Sequence, residues 1–457
     1  MSGHLQPIAE YCWTACRLAR REMSDIGIMQ NERFRRLSIE VVWVVLGQTT
    51  AILGYLIGLR ILTELLAPIA YGKLALGMTA ATLVNQTVLG PLGNGITRFY
   101  APAQEQGALS GYLKAVRRLV LLATGIIFLL ILFSVTGLLI ARREEWIAII
   151  IAALIFAILS GCNSILSGIQ NAARQRSIVA LHQGIEPWAR FLVAAGLVIM
   201  IGATSTMAMV GFALALLLVL CSQYAFFHKF VRDQNVSDVN HERQWLEKMW
   251  HFSWPISIFG IFTWFQMASD RWALELFATT MDVGKYSALF QLGYYPISIA
   301  SGMAFQLLAP IFYQHAGDAS DTHRNAHVNE LSWRLTVLAL GVTGAAFLVA
   351  FLFHAQIFRF FVANEYASVS HLLPWMLLVG GIFSAGQTLA LNLMTQMKTR
   401  AMMSAKIVTA LLGVALNFAG AYWYGTTGIV IAGVLFSLTY FIWIVVLSKR
   451  EVIEKCP

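Results

Sequence analysis

Arg60-Ile-Leu-Thr-Glu64 and Arg271-Trp-Ala-Leu-Glu275 each set an arginine four residues before a glutamate in an otherwise apolar stretch. A glycine follows the arginine after 12 residues in Tyr71-Gly72-Lys73 and after 13 in Val283-Gly284-Lys285. Phe99-Tyr100 and Phe312-Tyr313 come 27 and 28 residues after those glycines. One half of the chain therefore repeats the other, and the repeat carries ionised groups into hydrocarbon. Charge inside a membrane is expensive and by default marks function. Polar groups between two repeated halves are how many secondary transporters build a substrate site.

His182, Glu186 and Arg190 form a third group, spaced four apart and so stacked on one helix face. Arg190 falls in mid-span, where a central arginine costs about 2.5–3.5 kcal/mol on insertion scales. It is expected to face a hydrated cavity with Glu186 on the same side. Pro187 removes a backbone donor beside them. Two kinds of chemistry fit: an anion contact, or a carboxylate and imidazole whose protonation is coupled to transport. A satisfied pair holding its helix in the bundle is the structural alternative. Asp270, next to Arg271, cannot share its helix face and is expected to meet another helix or cap a break.

The elements that must position these groups are membrane helices. Hydrophobic residues make up 58% of the 457-residue chain and charged residues only 12%, about half the charge fraction of a soluble domain. Mean hydropathy is +0.68. A spanning helix needs about 20 mostly apolar residues. Twelve stretches qualify: 39–62, 72–92, 117–141, 146–167, 178–200, 205–227, 250–277, 284–311, 335–357, 370–394, 402–424 and 427–448. The apolar runs are continuous rather than alternating, which excludes a β-barrel. The expected fold is an all-α polytopic membrane protein, with six helices in each of two lobes related by a pseudo-two-fold axis along the membrane normal. The lobes would be 39–227 and 250–448, joined by a polar cytoplasmic linker, 228–249. A basic segment, 1–38, precedes them and a tail, 449–457, follows.

Charge sets the orientation. With the N-terminus inside, 24 of the 32 Lys and Arg fall on the inner side, five on the outer side, and Arg60, Arg190 and Arg271 lie within spans. That asymmetry places both termini in the cytoplasm. It also accounts for the net charge of +9, so no nucleic-acid partner is implied. Residues 8–26 can form an amphipathic helix suited to an anionic inner leaflet, with Arg17, Arg20 and Arg21 on its polar face; a basic tail that serves only topology fits equally. Segment 1–38 has no apolar core and is not a cleaved signal. The five cysteines show no metal-ligand spacing and are read as reduced and structural. No metal site or cofactor is expected. The outer loops are short, with no Asp-x-Asp pair near them, and there is no Walker, HExxH or GxSxG motif. An enzyme is therefore disfavoured.

Specific stretches carry a family resemblance: Ala70-Tyr-Gly-Lys-Leu-Ala-Leu76, Pro91-Leu-Gly-Asn-Gly-Ile-Thr-Arg-Phe-Tyr-Ala101, Asp270-Arg271 with Val283-Gly-Lys-Tyr286, and Leu416-Asn417 with Tyr424-Gly-Thr-Thr-Gly428. In order and spacing they resemble the oligosaccharide flippases, O-antigen flippases included, of the multidrug/oligosaccharidyl-lipid/polysaccharide superfamily. The resemblance covers roughly 39–448. It implies a transporter of the bacterial inner membrane that moves an undecaprenyl-diphosphate-linked glycan from the cytoplasmic to the periplasmic leaflet. It also admits a coupling proton or sodium ion and contacts with other polysaccharide-assembly membrane proteins. Against that substrate, Arg60, Arg271 and Arg190 are the expected diphosphate contacts, since a guanidinium fork matches phosphate oxygens. Glu64, Glu275, Glu186, His182 and Asp270 are the expected gating or coupling groups. Arg60 and Arg271 would be symmetry mates near the roof of an inward-open cavity, each held by its own Glu. The alternative is that each pair simply reaches to the outer headgroups. Two other functions stay open: a cation-coupled drug antiporter of the same superfamily, and a membrane-embedded glycosyltransferase or polymerase.

Overall fold

The structure is a computed structural model that describes residues 42–43, 45–233, 242–316, 322–395 and 399–454. The expected amphipathic helix at 8–26, linker residues 234–241, and Cys12, Cys16 and Cys456 lie outside the described residues. Every regular element among the described residues is helical.

Eight helical stretches are long and apolar enough to cross a membrane. They include α1 (Val45–Leu65), and α4 (Leu109–Ile140), α5 (Ile147–Ala172), α6 (Arg176–Ile201) and α7 (Ser205–Asp233). In the second half they include α11 (Thr322–Phe361), α12 (Leu373–Thr395, behind a 3-10 stretch) and α13 (Thr399–Glu454). The remaining long elements are interrupted or charged. A π-helical turn, Asn85–Leu89, separates α2 (Pro68–Val84) from α3 (Gly90–Glu105). In the second half the corresponding path breaks at Tyr294, between α9 (Thr280–Gly293) and α10 (Tyr295–Ala316). The helix α8 (Glu242–Phe277) starts with charged residues and carries Asp270, Arg271 and Glu275 near its end.

Glycines let the helices approach. Along α1, a Cβ on Gly47 would lie 2.8 Å from the Ala180 carbonyl oxygen and one on Gly58 only 2.1 Å from the Phe191 ring, so α1 lies directly on α6. The equivalent second-half pair is α8 on α13, fixed by a bond from the Asn417 amide to Ser269 Oγ (2.9 Å). In each half the third long helix, α4 or α11, is the least covered by protein. Large apolar side chains such as Phe133, Ile140 and Met200 stand exposed, as lipid contact requires. At Gly425 (φ 55°, ψ −132°) α13 turns back, a backbone only glycine adopts readily. The two arms meet where a Cβ on Gly428 would lie 1.9 Å from Gly420 O.

The halves of the chain pack together through α2 on α9 near one end and α3 on α8 towards the other. The first of these contacts is reciprocal. A Cβ on Gly72 would lie 2.0 Å from Thr280 O, and one on Gly284 would lie 1.9 Å from Pro68 O. Between the two contacts, Trp264 and Trp272 of α8 donate their indole N–H groups to Thr79 O (2.7 Å) and Thr79 Oγ1 (3.0 Å) of α2.

Candidate functional site

Arg271 is held on α8 by its neighbour. Asp270 Oδ1 accepts the Arg271 backbone N–H (2.7 Å) and also Nη1 (3.1 Å), while Asp270 Oδ2 accepts the Tyr286 hydroxyl of α9 (2.7 Å). The guanidinium lies 4.5 Å from the Phe290 ring centre and 5.8 Å from that of Tyr286, close enough for cation–π attraction. This corrects the expected pairing. Arg271 does not pair with Glu275, whose Oε1 instead accepts the Thr280 hydroxyl (3.0 Å) and whose Oε2 is buried without a partner. Asp270 does meet a second helix, as expected, but it also reaches Arg271, because a carboxylate that bonds the next residue's N–H is already turned towards that side chain. Every hydrogen bond of the Arg271 guanidinium is made by Nη1. Nη2 and Nε have none among the described residues, so the fork is only half engaged.

Beside this centre is a cavity of about 260 Å³ between α8, α9, α12 and α13. Asp270, Gln266, Gln387, Asn417 and Lys406 contribute polar groups to a wall that is otherwise aromatic and aliphatic. Among the described residues no group of three His, Cys, Asp or Glu could hold a metal ion.

Arg60 sits elsewhere. It pairs with Glu64, as the spacing predicts, and its Nη1 donates to the carbonyls of Arg359 (3.0 Å) and Val362 (2.6 Å) at the end of α11. A cation there satisfies terminal carbonyls and complements the helix dipole. Thr63 Oγ1 accepts the Ala363 N–H (3.2 Å), and the Tyr366 hydroxyl donates to Leu66 O (2.6 Å). Arg60 therefore belongs to a latch between α1 and the α11–α12 turn. It shares no bonded partner with Arg271, so the expected two-arginine clamp is not assembled here.

Arg190 is sealed rather than open to a hydrated cavity, which overturns that expectation. Tyr55, Phe191 and Phe212 surround its guanidinium at 5.0, 5.6 and 5.2 Å from their ring centres. Nη2 donates to the Tyr55 hydroxyl (2.5 Å), and Nη1 lies 3.6 Å from Glu186 Oε1. Desolvation is offset by aromatic faces and a carboxylate instead of water. Tyr295 donates to the same Tyr55 hydroxyl (3.1 Å), so the chain Arg190–Tyr55–Tyr295 runs from α6 through α1 to α10. Nε has no partner. His182 does not join this group. Its Nδ1 donates to Ile178 O (2.8 Å), which leaves Nε2 to accept from Ser222 Oγ (3.2 Å) of α7.

The sequence reasoning missed Tyr55, Tyr295, Trp264 and Trp272. Their partners are 135 to 240 residues away, and no local spacing announces such a bond.

A helical bundle with eight stretches long and apolar enough to cross a membrane defines the class as a multi-pass membrane protein. Residues 39–315 match the family described as polysaccharide biosynthesis protein, and the chain belongs to that family. Its fold is that of the multidrug/oligosaccharidyl-lipid/polysaccharide superfamily. The lipid II flippase MurJ in an inward closed conformation matches with a TM-score of 0.65 at 12% identity, over 90% of this chain and 87% of that one. An inward-facing multidrug resistance MATE family transporter matches with a TM-score of 0.58 at 13% identity, over 90% and 96%. A superfamily transporter from Pyrococcus furiosus matches at 0.52 and 15% identity, over 91% and 95%. No curated protein sequence matches the chain.

Proposed function

We propose that this protein flips an undecaprenyl-diphosphate-linked oligosaccharide from the cytoplasmic to the periplasmic leaflet of the bacterial inner membrane, for cell-surface polysaccharide assembly. Family membership supports the substrate class. The observation that carries the reading is Arg271: a largely buried cation with half its donor fork unspent, whose partner Asp270 lines the cavity. A diphosphate oxygen supplies the acceptors that Nη2 and Nε lack.

Twelve crossings in two six-helix lobes, 39–227 and 250–448, fit this role. The three elements outside the eight apolar stretches become crossings once a broken or charged helix is allowed to line a polar interior. The Ser404–Lys449 stretch of 46 residues would be about 69 Å long. That is over twice a hydrocarbon core of roughly 30 Å, and the break at Gly425 makes it two crossings. The interrupted helices α2–α3 and α9–α10 hold corresponding places in the halves, which is a pointer to a site between them. Both termini lie in the cytoplasm on this reading. Contacts at both ends, α2 on α9 and α3 on α8, fit a closed intermediate of alternating access. In that cycle Arg60 and Glu64 act in the outer latch, Arg190 ties α6 to α1 and through Tyr295 to the second lobe, and His182 ties α6 to α7.

The cation-antiporter reading draws support from the aromatic wall beside Asp270. Against it, both Asp270 oxygens are already bonded, and Lys406 lines the same cavity. The deciding experiment is a leaflet-resolved assay of lipid-linked glycan in cells lacking the protein and complemented with wild type or Arg271→Ala. Accumulation in the cytoplasmic leaflet that only wild type relieves supports the flippase. Normal glycan distribution in the null strain overturns it.

A further inference from the structure

A second cavity, of about 390 Å³, adjoins the first and has a different chemistry. It lies between α3, α5 and α8, so both halves of the chain contribute to it. Phe259 and Thr263 of α8 line both cavities and form the wall between them. No charged side chain lines the second cavity. Gln86 and Asn94 present carboxamides to it, and Ser164 presents a hydroxyl; none of the three has a hydrogen-bond partner among the described residues. The Thr97 and Thr263 hydroxyls donate to their own helices at Gly93 O (2.9 Å) and Phe259 O (3.2 Å), leaving acceptor lone pairs free. Gly90, Gly93, Gly168 and Gly260 strip the walls to backbone. The π-helical turn at Asn85–Leu89 begins beside it.

Each candidate occupant can be judged by what it would leave unpaired. A lipid chain would bury two carboxamides against methylene groups, and a buried polar group without a partner costs about 1–3 kcal/mol. An ion would find no opposite charge. A neutral, hydroxyl-dense ligand fits, because every hydroxyl both donates and accepts and a carboxamide answers both roles. Phe259 offers an apolar surface to the hydrophobic side of such a ligand.

We infer that this cavity between α3, α5 and α8 is a subsite for uncharged sugar units of the transported glycan, with Asn94 and Gln86 as its specificity-determining residues. The inference rests on the flippase reading and adds the sugar class. Thr263 precedes Arg271 by eight helical residues, about 12 Å along the axis. That separation exceeds one sugar ring. With the diphosphate at Arg271, the cavity receives units beyond the first sugar. An acidic sugar is rejected there, since its carboxylate would be desolvated with no cation to meet it. The substrate class is therefore a lipid-linked glycan whose second and third units are neutral.

The test uses three soluble probes on the purified full-length protein in detergent: farnesyl diphosphate, farnesyl-diphosphate-linked tri-N-acetylglucosamine, and the same trisaccharide with its outer two units oxidised to uronic acids. Affinity is measured by thermophoresis for wild type, Asn94→Leu, Gln86→Leu, Asn94→Lys and Arg271→Ala. The neutral trisaccharide should bind about tenfold more tightly than either other probe, as one to two added hydrogen bonds allow. Asn94→Leu and Gln86→Leu should each remove most of that gain and leave farnesyl diphosphate binding unchanged. Asn94→Lys should favour the acidic trisaccharide. Equal binding of the three probes, or a sugar gain insensitive to both Leu variants, overturns the subsite. If farnesyl diphosphate binds and Arg271→Ala abolishes that binding, the flippase reading survives such a result. If no probe binds, both fall.

Discussion

Gly72 and Gly284 meet as equivalents: each turns its missing side chain against the backbone that precedes the other, 2.0 Å from Thr280 O in one direction and 1.9 Å from Pro68 O in the other. The contact is reciprocal: each glycine meets the carbonyl four residues before the other. The repeated Tyr-Gly-Lys and Val-Gly-Lys segments are thus the two sides of a single joint.

Adding a methyl group at that joint should prevent it from closing. Gly72→Ala or Gly284→Ala would drive a Cβ into a carbonyl oxygen, which only separation of α2 from α9 relieves. Either variant should reach the membrane and export little, and a cysteine placed at Tyr71 should label faster with a membrane-impermeant maleimide than in the parent. Unchanged labelling and export would mean that α2 and α9 never need this approach.

Thr63 and Ala363 give a lock for the same end, because the Ala363 N–H donates to Thr63 Oγ1. In a background without the native cysteines, Thr63→Cys with Ala363→Cys should form a disulfide that stops flipping, and reductant should restore it. Full transport by the oxidised protein would rule out opening at this latch.

Arg271 should matter more than the glutamate that its spacing assigns to it. Arg271→Ala should abolish export at normal protein abundance, and Arg271→Lys should recover part, because a point charge replaces a planar fork. Glu275→Gln should export near the wild-type level. The readout is accumulation of lipid-linked intermediate at matched expression. Failure of Glu275→Gln alongside normal Arg271→Ala would move the working charge to the carboxylates.

Arg190 should behave as a structural residue. Arg190→Met leaves Glu186 beside an apolar pocket and removes the donor to Tyr55. Glu186 is a quarter exposed, so the loss should fall below the 3–5 kcal/mol of a fully buried broken pair, about 1–3 kcal/mol. Thermal unfolding in detergent, followed by size-exclusion chromatography, should show a lower midpoint for Arg190→Met. Adding Glu186→Gln should return most of it. A normal midpoint combined with lost export would instead place Arg190 at the substrate.

Much of the fold could be read from the residues, because hydrocarbon imposes a length and an apolar composition on each crossing. The elements that depart from that composition carry polar interruptions: α2–α3 at the π-helical turn, α9–α10 at Tyr294, and α8 with its charged ends. The candidate site was less legible. Spacing of i and i+4 says that two side chains share a face, not that they bond. Arg60 took Glu64, whereas Asp270 captured Arg271 and Thr280 captured Glu275. Sequence alone places a mid-span arginine against water, because charge needs solvation. Aromatic faces and a tyrosine hydroxyl met that need for Arg190, and they came from α1 and α7 as well as from its own helix.

Trp264 and Trp272 both spend their indole N–H groups on Thr79 of the opposite half. Indole emission responds to the hydrogen bond on its nitrogen, so the protein carries its own optical reporter. A turnover that parts α8 from α2 breaks both bonds at once. The change in emission would arrive without any attached dye, and Thr79→Val would silence the Trp272 share while leaving the Trp264 bond to the backbone in place.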